Sequence, residues 1–221
     1  MTTAANPTLP LSAALRDGTR EAHESAENST FMSDLIGGKL SPQDVVNLTA
    51  QYWFIYTALE DAVVRASGDA AVAAIADRRL ERTGALARDL EAMVGRDWFD
   101  EIEATPATET YVDTLNALDP QDTPTVIAHH YVRYLGDIAG GQVVARCLSS
   151  EYGFESACLN FYDFSAIGKI PPFRARYREA LDSVDLTQQQ REDVIAAARQ
   201  AFSLNQNVFA SLESRGVIVA G

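Results

Sequence analysis

Three glycines interrupt what is otherwise a strong helical run. The segment Tyr131-Val132-Arg133-Tyr134-Leu135-Gly136-Asp137-Ile138-Ala139-Gly140-Gly141-Gln142 puts glycines and one carboxylate where core-facing side chains belong. A glycine inside a helix costs roughly 1 kcal/mol relative to alanine, so the cluster gives up about 3 kcal/mol. Gly136 and Gly140 are four residues apart and share a face, and the Gly140-Gly141 pair invites a kink. A loss of that size implies that something bulky lies close against bare backbone. The plain explanation is tight packing of two helices. The sharper one is a flat ligand slid against the helix, with Asp137 at the edge of its pocket. In a membrane the spacing would read as a helix-dimer motif, but Arg133 and Asp137 argue against a span.

The remaining punctuation is also helical. Ser41-Pro42 starts a helix reaching about Ser67-Gly68, Asp77 is placed to cap one ending at Val94-Gly95, and Thr105-Pro106 opens one ending near Leu118. Thr123-Pro124 opens the glycine-bearing helix, which runs to about Tyr152-Gly153. Pro171-Pro172 precedes a short basic helix, and Thr187-x-x-Gln190 forms a capping box for the last long one. A first helix covers about Leu11 to Asn28. No alternating strand pattern, repeat or low-complexity linker occurs, so an all-α single domain over 11–215 is expected, with flexible ends at 1–10 and 216–221.

Composition narrows the partners. The 221 residues carry a net charge of −13, which argues against nucleic acid and anionic membrane surfaces. Met1 to Pro10 lacks the pattern of a signal peptide, no run approaches a spanning helix, and Cys147 and Cys158 match no metal or redox spacing. A reduced, cytoplasmic protein is expected.

Chemistry must therefore come from side chains on helices. Of the three histidines, His23 lies on a stripe with Leu15, Thr19, Ala22 and Ala26, and Glu27 follows one turn later, where it can steady the ring. Alone, such a histidine reads more readily as a hydrogen-bonded core residue than as a ligand. His129 and His130 precede the glycines by about two turns and read as structural. No Glu-x-x-His pair exists, which disfavours a di-iron bundle. Arg16 and Arg20 share the first helix with His23, and Lys169, Arg174, Arg176 and Arg178 crowd a short segment. Solvated faces are their usual fate, although an anionic ligand would draw on some of them. In the last helix Asn205 breaks an apolar stripe that includes Val208 and is flanked by Phe202 and Phe209. It needs a polar partner, which Tyr56 is placed to supply.

Taken together, Ala22-His23-x-x-x-Glu27-x-x-x-Phe31-Met32, His130 through Gln142, and Ala201-Phe202-x-x-Asn205 resemble heme oxygenase, most of all its soluble bacterial iron-acquisition members. The resemblance spans roughly Leu11 to Leu212. It implies a helical fold with heme b, at once cofactor and substrate, between a proximal helix bearing the iron ligand and a kinked, glycine-rich distal helix. It implies oxygen-dependent cleavage at the α-meso carbon to biliverdin, carbon monoxide and ferrous iron. Carried over by position, His23 matches the iron ligand and Glu27 its partner, with Gly136 and Gly140 against the heme face. Asp137 matches the carboxylate that organises distal water, with Arg133, Tyr56 and Asn205 around it. Arg16, Tyr131, Arg174 and Arg178 match propionate-contacting positions, although the family often has lysine at the first and third. Met32, Phe202 and Phe209 match apolar lining. Electrons would come from a ferredoxin, flavodoxin or flavoprotein reductase, and a monomer is expected. Two other classes stay open at this level. One is a heme carrier or sensor without turnover. The other is a thiaminase-like hydrolase, for which neither cysteine has an evident activating neighbour.

Overall fold

The computed structural model describes residues 9–216, with side chains described to residue 213, and among these there is no strand. The expectations for the chain ends fall almost wholly outside the described residues. In chain order the helices are α1 (Leu11–Gly18), α2 (Arg20–Glu27), α3 (Thr30–Ile36), α4 (Pro42–Arg65), α5 (Ala70–Ile75), α6 (Thr83–Val94) and α7 (Trp98–Glu101). They continue with α8 (Pro106–Asn116), α9 (Thr123–His130), α10 (Gly136–Tyr152), α11 (Ile170–Ser183) and α12 (Gln188–Gly216).

Local chemistry explains most of the boundaries. Ser41 and Asp44 form a reciprocal capping box before Pro42. Thr105 caps Pro106–Asn116. Thr187 accepts from the Gln190 backbone N–H at 3.2 Å while the Gln190 side chain accepts from the Thr187 backbone N–H at 2.9 Å. Two caps differ from the sequence reading. Asp122, one residue earlier than expected, caps α9. Asp77 caps only a 3₁₀ turn, Arg78–Leu80, and α6 begins at Thr83.

The expected first helix is two helices. The chain breaks at Thr19, whose φ of −112° and ψ of 4° leave the helical region, although its hydroxyl and its backbone N–H both still donate to the Leu15 carbonyl, at 2.7 and 2.9 Å. The break lets α1 and α2 both lie along α12. At the same point a Cβ on Gly18 would stand 2.7 Å from Ile195 Cγ2, so α1 and α12 approach more closely than alanine allows.

The glycine-bearing helix is continuous from Thr123 to Tyr152 but not uniform. Tyr131–Leu135 is a π-helical turn set between α9 and α10. The irregularity thus precedes the glycines instead of falling at Gly140-Gly141, and it re-aims the face that follows; a π-bulge of this kind changes helical register. The core sits where α12 meets α9, α8 and α2 and where α4 packs on α6 and α8, with Ile55, Leu59, Leu86, Tyr111 and Val208 fully enclosed.

Candidate functional site

Helices α1, α2, α10, α11 and α12 enclose a two-lobed cleft. Its outer lobe, about 570 Å³, is lined by Arg16, Arg20, Tyr131, Arg174 and Arg178. Its inner lobe, about 350 Å³, is lined by Met32, Tyr52, Asp137, Phe161, Tyr162 and Phe209, among others. Both lobes share His23, Glu27, Val132, Gly136 and Phe202, so they are one cleft with a cationic mouth and a largely apolar interior. That combination suits a flat apolar ligand with an anionic edge.

His23 lies on α2 with its side chain 46% exposed to the cleft, while Leu15, Thr19 and Ala26 of the same stripe are buried. The side chain is therefore not a core histidine. Its Nδ1 is 3.4 Å from the Glu27 carboxylate, which leaves Nε2 as the nitrogen available to a ligand or metal. The Phe202 ring meets the imidazole edge-on at 5.7 Å between centroids and limits its rotation.

The glycines answer the question their cost raised. A Cβ built on Gly136 or on Gly140 meets nothing within 4 Å, so neither is needed to let two helices pack. Their bare backbone faces the cleft. Gly141 is the one that touches protein, with Tyr162 Cδ1 3.2 Å from its would-be Cβ.

Asp137 sits on the same helix, and its Oδ2 is buried without a protein partner. Burial holds its carboxyl well above the usual carboxylate range. Arg133 is buried, with Nη1 donating to Asn205 Oδ1 at 2.6 Å, while its Nε and Nη2 have no partner among the described residues. The guanidinium lies between two rings, 4.6 Å from the centroid of Tyr52 and 4.9 Å from that of Tyr56. The Tyr56 hydroxyl is likewise buried and unpartnered, so Arg133, and not Tyr56, satisfies Asn205. Several unsatisfied polar atoms beside one cavity are what ordered water satisfies; a dry cavity would leave each at a cost of ~1–3 kcal/mol.

At the mouth, burial raises the Tyr131 hydroxyl pKa against the pull of Arg178, Arg16 and Arg174, which places all three cations near that ring. Arg174 is half-buried with Nε unpartnered, whereas Arg16 bonds Asp17 at 3.0 Å and is mostly exposed. Arg176 stands apart from the cleft, over the Phe173 ring.

His129 and His130 are structural. They are buried and bond the Tyr111 and Tyr177 hydroxyls at 3.1 and 2.7 Å, and burial pushes their pKa values down to about 4 and about 3. The sequence reading missed Tyr52, Phe161 and Tyr162. The last two belong to the run Phe161-Tyr162-Asp163-Phe164, whose density of aromatics outside any helical stripe was the available signal. Among the described residues no group of three or more His, Cys, Asp or Glu side chains is set to hold a metal ion.

Residues 9–211 match the family described as heme oxygenase. The chain is 35% identical over 206 residues to the heme oxygenase of Porphyra purpurea, covering 90% of this chain and 85% of the relative. The chain belongs to the heme oxygenase family. Members of this family degrade heme to biliverdin. Heme oxygenase 1 of Gallus gallus is 33% identical, over 92% of this chain and 70% of its own. The crystal structure of heme oxygenase-2 from Synechocystis, in complex with heme and NO, superposes with a TM-score of 0.90 at 31% identity, covering 95% of this chain and 88% of that one. Heme oxygenase-1 from the same cyanobacterium, in complex with heme, gives 0.86 at 27% identity, over 96% and 98%. Among the described residues no helix is long and apolar enough to cross a membrane.

Proposed function

We propose that this chain opens heme b at the α-meso carbon, releasing biliverdin, carbon monoxide and ferrous iron, and that His23 ligates the iron. The observation that carries the reading is the bare backbone of Gly136 and Gly140, which faces a cleft shared with the free nitrogen of His23. The fit extends to the charge: a dianionic edge matches a mouth lined by Arg16, Arg20, Tyr131, Arg174 and Arg178. Heme supplies the iron at which oxygen is reduced and the ring that is opened.

The protein's part is binding, orientation and proton supply. Glu27, 3.4 Å from His23 Nδ1, is placed to steady the ring so that Nε2 is the nitrogen turned to the iron. Gly136 and Gly140 let a flat ring lie against backbone and leave little room beside it, which favours attack at one edge. The arginines and Tyr131 hold the propionates and fix the rotation of the ring. Met32, Phe202 and Phe209 exclude bulk water from the interior. Asp137 anchors water there and passes protons inward, with Arg133, Asn205 and Tyr56 holding that water in place. Burial favours its protonated form, which suits it to donate a proton. Electrons come from a separate ferredoxin, flavodoxin or flavoprotein reductase, and the released iron suits a cytoplasmic, monomeric enzyme of iron acquisition from heme.

His23→Ala tests the reading. The variant keeps its arginine mouth and apolar walls, so it still takes up hemin, but it loses the imidazole-ligated spectrum and biliverdin formation. Free imidazole restores part of both. If the wild-type protein binds hemin yet forms no biliverdin with reductant and oxygen, it is a carrier and the reading fails. Wild-type spectrum and turnover in the variant would show that His23 is not the ligand.

A further inference from the structure

The inner wall of the cleft is held from behind by two buried charges that form no ion pair with each other. Asp89, on α6, is 1% exposed. Its Oδ1 accepts from the backbone and side-chain nitrogens of Asn160, each at 2.7 Å, and its Oδ2 accepts from the backbone N–H of Phe161 at 2.8 Å. Arg82, just before α6 and 6% exposed, donates from Nη1 to the Phe161 carbonyl at 3.3 Å and to the Asp163 carbonyl at 2.8 Å. Its guanidinium also lies 4.3 Å from the Phe164 ring centroid. The N–H of Phe161 is thus tied to Asp89 and its carbonyl to Arg82. A third tie comes from the other side, where Gln142 donates to the Tyr162 carbonyl at 2.9 Å.

Tying a one-turn 3₁₀ segment with two buried charges is an expensive way to fill space. Taking a charge out of water costs several kcal/mol before its hydrogen bonds and neighbouring counter-charges offset part of it, and an apolar contact would close the same gap. The side chains held there explain the arrangement. Phe161 and Tyr162 both line the inner lobe. The Phe161 ring packs on Tyr52 and Tyr56, each with centroids 5.4 Å away, and those are the two rings that sandwich Arg133. Tyr162 abuts Gly141 on the glycine face.

We propose that Asp89 and Arg82 are positioning residues for heme cleavage: by clamping the Phe161 peptide they set the wall that, together with the propionate contacts at the mouth, limits the rotation of the ring and holds Arg133 toward Asn205. This rests on the reading under Proposed function. It adds that the selectivity of cleavage depends on a carboxylate that touches neither ligand nor cleft.

Asp89→Asn is the test, because the amide has nearly the same shape but turns a donor toward one of the N–H groups that Asp89 accepts. In the unliganded protein, amide hydrogen exchange at Asn160 and Phe161 should speed up about tenfold to a hundredfold, the loss of hydrogen bonds to a charged acceptor. Exchange at Leu86 and Leu90 should stay put. On turnover with hemin, the biliverdin isomer mixture should broaden, and Phe161→Leu should broaden it the same way with Asp89 intact. The double variant should be no worse than either single one, as expected of residues acting through one contact. Unchanged exchange at Phe161 would overturn the clamp. A lower yield with the wild-type isomer composition in both single variants would reduce Asp89 to a fold-stabilising residue and also overturn the proposal. If wild-type protein forms no biliverdin, the reading under Proposed function fails, while the exchange measurement still decides the clamp.

Discussion

At the scale of single residues, the site depends on polar groups left without protein partners. Asp137 Oδ2 and two guanidinium nitrogens of Arg133, both residues of the cleft lining, and the hydroxyl of Tyr56, whose ring lies against Arg133, are buried and bond to nothing described. As holders of water they should make Asp137→Ala bind hemin almost normally and lose biliverdin formation about tenfold or more, the scale of a general acid or its water relay. Asp137→Asn should retain part of the activity, because an amide still anchors water. Hemin titration followed by product chromatography checks both, and full product yield from the alanine variant would remove Asp137 from the mechanism. Helical spacing singled out His23 and Asp137, but on the residues alone His23 read as a core histidine and the arginines as solvated, and the resemblance to the family was what gathered them into one site. The Arg133–Asn205 bond was not legible in the sequence, because it joins residues 72 positions apart, and helical period carries no information across that distance. Tyr56 was the apparent partner of Asn205 only because it is also polar and inward-facing.

At the scale of elements, two glycines on different helices make opposite predictions. Gly136→Ala places a methyl in open space and gains helix propensity. It should stabilise the unliganded protein by roughly 1 kcal/mol, a rise of about 2–4 °C in Tm, while weakening hemin binding. Gly18→Ala drives a methyl to within 2.7 Å of Ile195 Cγ2 and should cost roughly 1–3 kcal/mol. Thermal denaturation and hemin titration of the two variants separate a glycine kept for a ligand from one kept for packing. Equal destabilisation by both would mean that Gly136 also serves packing. The helices themselves were readable because Ser41, Thr105 and Thr187 sit beside first-turn partners that fit them. The break at Thr19 was hidden, since the Thr19–Leu15 bond uses a side chain that suits an unbroken helix equally well. The π turn at Tyr131–Leu135 left no mark either, because its residues are ordinary helix and core formers.

At the scale of the whole molecule, stability and catalysis draw on buried ionisable groups with opposite pH behaviour. Unfolded histidines take up protons below pH 6.5, but His129 and His130 resist charging until about 4 and about 3 in the folded protein. Below pH 6.5 the unfolded chain therefore binds more protons, and stability falls with pH until the folded values are reached. Asp137 works in reverse, because its folded carboxyl keeps a proton that the unfolded chain releases above 3.8. The two imidazoles account for at most about two protons, about 2.7 kcal/mol per pH unit, and Asp137 reduces that slope. The urea midpoint of the unliganded protein should fall steadily from pH 6.5 to 4, and a flat profile would contradict the burial of the two imidazoles. The central claim is that this cleft turns heme over, and at one meso carbon. The direct measurement is chromatography of the products when hemin-loaded protein is given reductant and oxygen. The expected main product is α-biliverdin, with release of carbon monoxide and ferrous iron. A mainly β or δ isomer would contradict the seating of the ring by Arg16, Tyr131, Arg174 and Arg178, and no biliverdin at all would contradict the enzyme.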